Sequence, residues 1–577
     1  MKTILTLAFI MPWWPCLFAQ IHTDFLGAGH SFGISVSTSH NANSSNDGNK
    51  TIDGFEVTDS AALANASRFL AQASLGYDYE TIQMTAAMGF EAWLDEQLSL
   101  PRQRFTDLAV EIAAIGERGT GIPNFRSGWW NYALRTPDQL RQRLTYNLSE
   151  ILVVSAFGGD LFEDVSNLSN AYYDVLGQNS FGNYRSLLSA VSRNASMGIY
   201  LSHLNNPRAD TINNIHPDEN YAREVMQLFS IGLYELNEDG SHKLDGNGNS
   251  IPTYDNEDIR EYAKVFTGFG NGGLGGRWGV IPDYQAFTEF NSFVTTPMRM
   301  YDQWHEPGEK TLLNGQIIPA GQTGMQDFQD VMDNLSNHPN VGPFIGKALI
   351  QFLVSSNPSP QYIQRVSQAF NDNGQGIRGD MRALIKAILL DPEARNCSPL
   401  SVPTAGKLRE PIIRYSGLVK AFNPNINVNQ GLIVDAMDGW QESVGQVPMF
   451  SRSVFNFFLP SYQPQGDLAS ANLTAPVFQI HNSSTSLAYV NYVDFMTAEE
   501  IYIEGTNPRL DLSDELSLVN NPEALIDRLN ILLACGQLSA TNQAIISNAV
   551  SQVGDPLDKL SMALYLVLIS PDYAVLK

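Results

Sequence analysis

Apolar residues return every three or four positions through most of the chain, the spacing that lines one face of an α-helix. The first such run holds Leu63, Ala66, Phe69, Leu70 and Ala73 behind Asp59, a residue type that caps helix starts. A second short helix is expected from Asp78 to Met88, ended by Gly89, and a third carries Phe90, Trp93, Leu94 and Leu98 before Pro101 stops it. Thr136-Pro137-Asp138-Gln139 reads as a capping box with proline at the first helical position, followed by Leu140, Leu144, Leu148, Ile151 and Leu152 on one face. Comparable runs cover 221–233, 258–266, 328–335, 344–354, 363–370, 381–390, 408–422, 525–533 and 560–569. The expected fold class is therefore mainly α, a large multi-helical domain over 56–577, because no regular alternation of strand and helix appears.

One region departs from that period. Six glycines fall in the nine residues from Gly268 to Gly276, and further on Asn314-Gly315 separates Leu312-Leu313 from Ile317-Ile318. Asn-Gly between apolar pairs is a tight hairpin signal, so a small β-hairpin or sheet insertion is placed around 270–320. Ahead of the helices, 20–55 is a Ser/Asn/Gly-rich lead-in with little to bury. Residues 1–19 carry Lys2, an apolar stretch interrupted by Pro12 and Pro15, and a small residue at Ala19: the pattern of a secretory signal peptide. The expected location is periplasmic or extracellular, with no stable membrane span once the signal is removed.

Composition sharpens this picture. The 577 residues carry 60 acidic against 35 basic side chains, a net charge of −25, while 43% are apolar. Aromatic and aliphatic content of that order supports a packed core, and the acidity argues against nucleic acid, whose phosphates demand clustered cations. Cys397 and Cys535 remain after the signal. They could pair in an oxidising compartment, but the apolar run around Cys535 favours two separate buried thiols.

Candidate chemistry gathers in two places. In His216-Pro217-Asp218-Glu219-Asn220-Tyr221-Ala222-Arg223-Glu224, helical spacing aligns Asn220, Glu224 and Gln227 opposite the apolar Tyr221, Val225, Leu228 and Phe229. In Trp304-His305-Glu306-Pro307-Gly308-Glu309-Lys310, an imidazole, carboxylates and an amine precede the hairpin. One reading makes these a hydrolase: Glu219, Glu224 and His305 catalytic, Asn220, Arg223 and Lys310 holding an anionic substrate, and His216, Glu224 and His305 ligating a divalent metal. The other makes them a buried ionic network in a binding or scaffold protein, with Glu219–Arg223 an ordinary surface pair. Asp245-Gly246-Asn247-Gly248-Asn249 resembles half a calcium loop but lacks its later ligands and fits a hairpin tip better. Trp129-Trp130 and Phe455–Phe458 offer a weaker third reading as polysaccharide-stacking aromatics.

Several segments carry a family likeness: Arg68 to Gly76, Gly89 to Leu98, Asn220-Tyr221-Ala222-Arg223-Glu224, Val265 to Phe269, His305 to Lys310, Ser453 to Phe458, Ala475 to Gln479, and Arg528 to Tyr573. Together they resemble the bacterial domain-of-unknown-function family 1800. The resemblance implies a large, mainly helical, exported protein, often encoded beside another exported family that is a candidate partner. It further implies that the 220–224 helix and the His-x-x-Gly-x-Lys turn belong to one constellation, with Glu306 where Asp is usual. It supplies no reaction, and the reading favoured here is a cell-envelope binding or scaffold protein with a polar cleft.

Overall fold

The computed structural model describes residues 57–109, 122–157, 166–272, 296–396, 404–422, 443–498 and 510–577. The leader, the lead-in, the glycines after Gly272 and Cys397 lie outside these residues. Helices dominate, and the β structure among the described residues consists of three two-stranded antiparallel pairs and a few isolated bridges, such as those between Tyr234 and Pro252 and between Leu244 and Ser250.

The opening helices form as their caps dictate. Asp59 accepts the Ala61 N–H ahead of Ser60–Ala73, and Asp78 accepts the Thr81 N–H ahead of Tyr79–Met88. Gly89 ends the latter at φ 86°, a value that suits glycine, and starts Phe90–Ser99. Gly76 is needed for a different reason: a Cβ there would sit 2.7 Å from the Ser416 carbonyl, so the turn after the first helix packs directly on the Pro411–Ala421 helix.

The Thr136 capping box is not formed. Thr136 Oγ1 donates to the Tyr132 carbonyl and so belongs to the helix before it, Pro137 lies in the junction, and the next helix runs Gln139–Ile151 from Asp138 without a side-chain cap. That helix also differs from its one-faced pattern, because every residue in it is buried, Arg141, Gln142, Arg143, Asn147 and Glu150 included. Two other expectations shift at their ends: the 221–233 run is helical only as Asn220–Gln227, and Leu408 lies in a strand before the Pro411–Ala421 helix.

The β insertion is present. Strand β1 (Phe269–Gly270) pairs with β2 (Arg299–Met300), and β3 (Lys310–Thr311) with β4 (Ile317–Ile318). Asn314 and Gly315 turn the second pair with φ of 61° and 70°, the left-handed values that make Asn-Gly the preferred hairpin tip. Strand β5 (Lys407–Leu408) pairs far along the chain with β6 (Val575–Leu576). Beside this pair, Arg68 of the first helix donates to the carbonyls of Lys577 and Ala394. A continuous hydrophobic core extends from Leu63 to Leu576. Trp129 and Trp130 are at its centre, 1% and 0% exposed, so they pack the interior and present no stacking platform. Cys535 is a free, buried thiol.

Candidate functional site

His305 and Lys310 meet on a residue that the motif does not contain. His305 leaves the Asp302–Trp304 turn with its ring 2% exposed; Nδ1 faces the Thr267 carbonyl at 3.0 Å and Nε2 the Asp327 carboxylate at 2.9 Å. The Thr267 hydroxyl also stands 3.4 Å from Nδ1, so the ring is held on both edges. Lys310 Nζ donates to the Glu306 carbonyl at 2.6 Å, the Gly308 carbonyl at 3.0 Å and Asp327 at 2.6 Å, using all three of its protons. The His-x-x-Gly-x-Lys spacing is thereby explained as a turn that its own lysine ties shut. Burial disfavours the ionised form of Asp327, yet the hydrogen bonds and charges of His305 and Lys310 outweigh it and hold the carboxyl below its ordinary value.

The other predicted residues take different places. Arg223 and Glu219 form a 3.6 Å pair with both side chains about two-fifths exposed (41% and 43%), the ordinary surface pair of a helix. Asn220 is exposed and its backbone N–H is held by Asp218. His216 is exposed. Glu224 is buried with one oxygen unpartnered, and burial raises its pKa against the opposing charge of Arg223. Gln227 accepts from Tyr254 at 3.1 Å. The two segments adjoin through the loop between them, where Arg208 N–H donates to the Trp304 carbonyl and Ala209 N–H to Glu306. Their charged groups do not merge, since His305 and Lys310 are committed to Asp327. Among the described residues no three His, Cys, Asp or Glu side chains gather as a metal site requires. The Asp245 segment is a hairpin tip, its carboxylate accepting the N–H groups of Asn247 and Asn249.

A ligand-sized opening lies elsewhere. A cleft of about 820 Å³ separates the Tyr79–Met88 and Phe90–Ser99 helices from the 134–139 junction and the end of the Pro411–Ala421 helix. Met84, Met88 and Trp93 supply its apolar wall, and Asp78, Gln97, Arg135 and Lys420 its polar groups. Lys420 Nζ donates to the Leu134 carbonyl at 3.0 Å. Burial lowers its pKa to about 8, with partial compensation from Asp78, so the amine is mostly charged at neutral pH and poised to lose its proton just above it. Sequence reading missed this site because its residues come from four separate stretches, each of which shows only ordinary amphipathic spacing.

A second feature without a sequence forecast is an ionic cluster inside the fold. Arg143, Tyr146 and Glu150 of the Gln139–Ile151 helix meet Lys407 and Glu410 around strand β5. Tyr146 OH and Gln446 Nε2 donate to Glu410 at 2.7 and 2.9 Å, and Lys407 stands 3.6 Å from its other oxygen. Burial, and then the charge of Glu410, push Glu150 well above the usual carboxyl range.

Fold and clusters together define a large helical protein that holds ionic clusters in its interior and carries the polar-apolar cleft described above. The family model described as Protein of unknown function (DUF1800) matches residues 68–575, and the chain belongs to that family. No curated protein and no solved structure matches it. Among the described residues no helix is long and apolar enough to cross a membrane.

Proposed function

We propose that this is an exported binding protein of the cell envelope, which holds a small amphipathic ligand in the cleft at Lys420. The cleft carries the reading: about 820 Å³ of space with a methionine and tryptophan wall on one side and a half-buried ammonium on the other. Such a site accepts an apolar body against Met84 and Met88 and an acidic group at Lys420, two of whose three protons have no acceptor among the described residues. The engagement of His305 and Lys310 with Asp327 supports the same choice over a hydrolase, because a general base must have a free edge to reach substrate. The pattern of residues 1–19 supports export, which cell fractionation checks.

Octanoate tests the cleft. Titration calorimetry is expected to show octanoate binding near pH 7, with octanol bound more weakly. Lys420→Met should weaken octanoate at least about tenfold while leaving octanol unchanged, the size of a desolvated charge-assisted hydrogen bond. Since Lys420 loses its proton near pH 8, octanoate affinity should fall as pH rises through that value. Octanoate binding that ignores both the substitution and the pH sinks the proposal, as does no binding at all.

A further inference from the structure

The cleft holds a lysine that is fixed at both ends of its side chain. Lys420 sits in the last turn of the Pro411–Ala421 helix, and its stem passes the turn at Gly76. A Cβ on Gly76 would lie 3.0 Å from the Lys420 Cβ, so the absence of a side chain there leaves the stem its path. At the tip, Nζ donates to the Leu134 carbonyl at 3.0 Å. Gly76, Leu134 and Lys420 all line the cleft. Lys310 and Lys407 are sealed more completely, but each is committed elsewhere. Lys310 spends three protons on its own turn and Asp327, and Lys407 donates to the Phe352 carbonyl beside Glu410. The Lys420 amine has a single acceptor among the described residues and open space beside it.

That placement suits a nucleophile. An amine attacks through its lone pair, which a proton must first vacate, and burial favours the neutral form by lowering the Lys420 pKa to about 8 against the charge of Asp78. The other charged groups on the walls are Glu96 of the Phe90–Ser99 helix and Arg135 at the end of the Ile122–Arg135 helix. Burial keeps Tyr77, on the same wall, uncharged. Met84, Met88 and Trp93 give an apolar chain a surface to lie on within the same space. We infer, on the reading that this cleft binds amphipathic molecules, that Lys420 captures an apolar aldehyde there as an imine.

The step is redox-neutral. The Nζ lone pair attacks the carbonyl carbon, the C=O π pair moves onto oxygen, and a proton passing from nitrogen to that oxygen leaves a carbinolamine. The nitrogen lone pair then forms C=N as the C–O bond breaks, and the hydroxyl departs with the remaining nitrogen proton as water. Amine and aldehyde thus give imine and water, with no other reactant. The Leu134 carbonyl, by accepting one N–H, fixes the direction of the attacking nitrogen. Asp78 is a half-buried carboxylate on the same wall with one oxygen on the Thr81 N–H at 2.7 Å, and its other oxygen can pass protons to and from water in the cleft.

Octanal is the probe, added to the unsubstituted full chain with sodium cyanoborohydride, which reduces the imine to a stable secondary amine that peptide mapping locates. At pH 7 Lys420 is expected to be labelled at least about tenfold faster than the other lysines, because an ordinary lysine, with a pKa of about 10.4, is almost wholly protonated there. That lead should hold below pH 8 and shrink above it, where Lys420 has already lost its proton and the others are only beginning to. Octanol in excess, which fills the cleft without reacting, should slow the labelling of Lys420 and of no other lysine. Labelling of Lys420 that is no faster than that of the other lysines, or that octanol leaves unchanged, overturns the inference. Octanoate binding alongside either result leaves the cleft a binding site and removes only the nucleophile. Preferential labelling without octanoate binding keeps the nucleophile and removes the acid-binding reading.

Discussion

Glu410→Ala lowers the urea midpoint of unfolding with little change in slope, by a free energy of about 3–5 kcal/mol, the typical cost of deleting one side of a buried ion pair. Glu410 is completely buried and accepts from Tyr146 and Gln446 while facing Lys407 at 3.6 Å. Without it, Tyr146 and Gln446 lose an acceptor and the interior cations Lys407 and Arg143 lose a carboxyl partner. The neighbouring Glu150→Gln has the opposite sign. Glu150 is held largely protonated by burial and by Glu410, so the folded protein binds a proton that the unfolded chain releases above about pH 4.3. Its contribution is intact below that pH and is lost as pH rises toward its elevated folded value. The glutamine variant, which keeps an oxygen for Asn456, should therefore melt higher than wild type near pH 8 and converge with it near pH 4. A variant that melts lower at both pH values contradicts this account.

Asp327→Ala has an effect of similar size, about 3–5 kcal/mol, since it strands His305 and Lys310 in a site where their side chains are 2% and 1% exposed. Its pH signature runs the other way from that of Glu150. The Asp327 pKa is depressed in the fold, so its stabilisation is present above the ordinary aspartate value of about 3.9 and disappears as pH falls through the lower, folded value. Acid titration of Asp327→Asn followed by circular dichroism should show a weaker loss of stability across that window than wild type. An unchanged acid profile would mean that Asp327 is not the hub of the cluster.

Local signals carried much of this fold into view. Asp59 and Asp78 cap as their positions suggest, and Asn314-Gly315 turns a hairpin because left-handed backbone is cheap for those two residues. Thr136 misled because its hydroxyl bonds backward to Tyr132, a choice that depends on where the preceding helix ends. The site was legible only in halves. His305 and Lys310 stood out as a pair, but Asp327 sits in the first turn of the Gly324–Asn337 helix, where an acid needs no reason beyond the helix dipole. The stripe Arg143, Asn147, Glu150 has the same spacing as Asn220, Glu224, Gln227, yet the first is interior and the second partly exposed. Spacing defines a shared face and leaves open what covers it. Here the cover comes from Lys407, Glu410 and Gln446, over 250 positions further along the chain.

Strand β5 delivers Lys407 and Glu410 to that interior, and its only strand partner among the described residues is β6 at 575–576. The order of synthesis therefore matters. A nascent chain that has emerged as far as residue 570 holds both acidic groups and both cations of the cluster but lacks the edge that fixes two of them. It must carry those charges wet, and the first helix lacks the Lys577 carbonyl that Arg68 grips. Pairing of β5 therefore waits on residues 575–576, far along the chain from the helix whose interior face Lys407 and Glu410 cover.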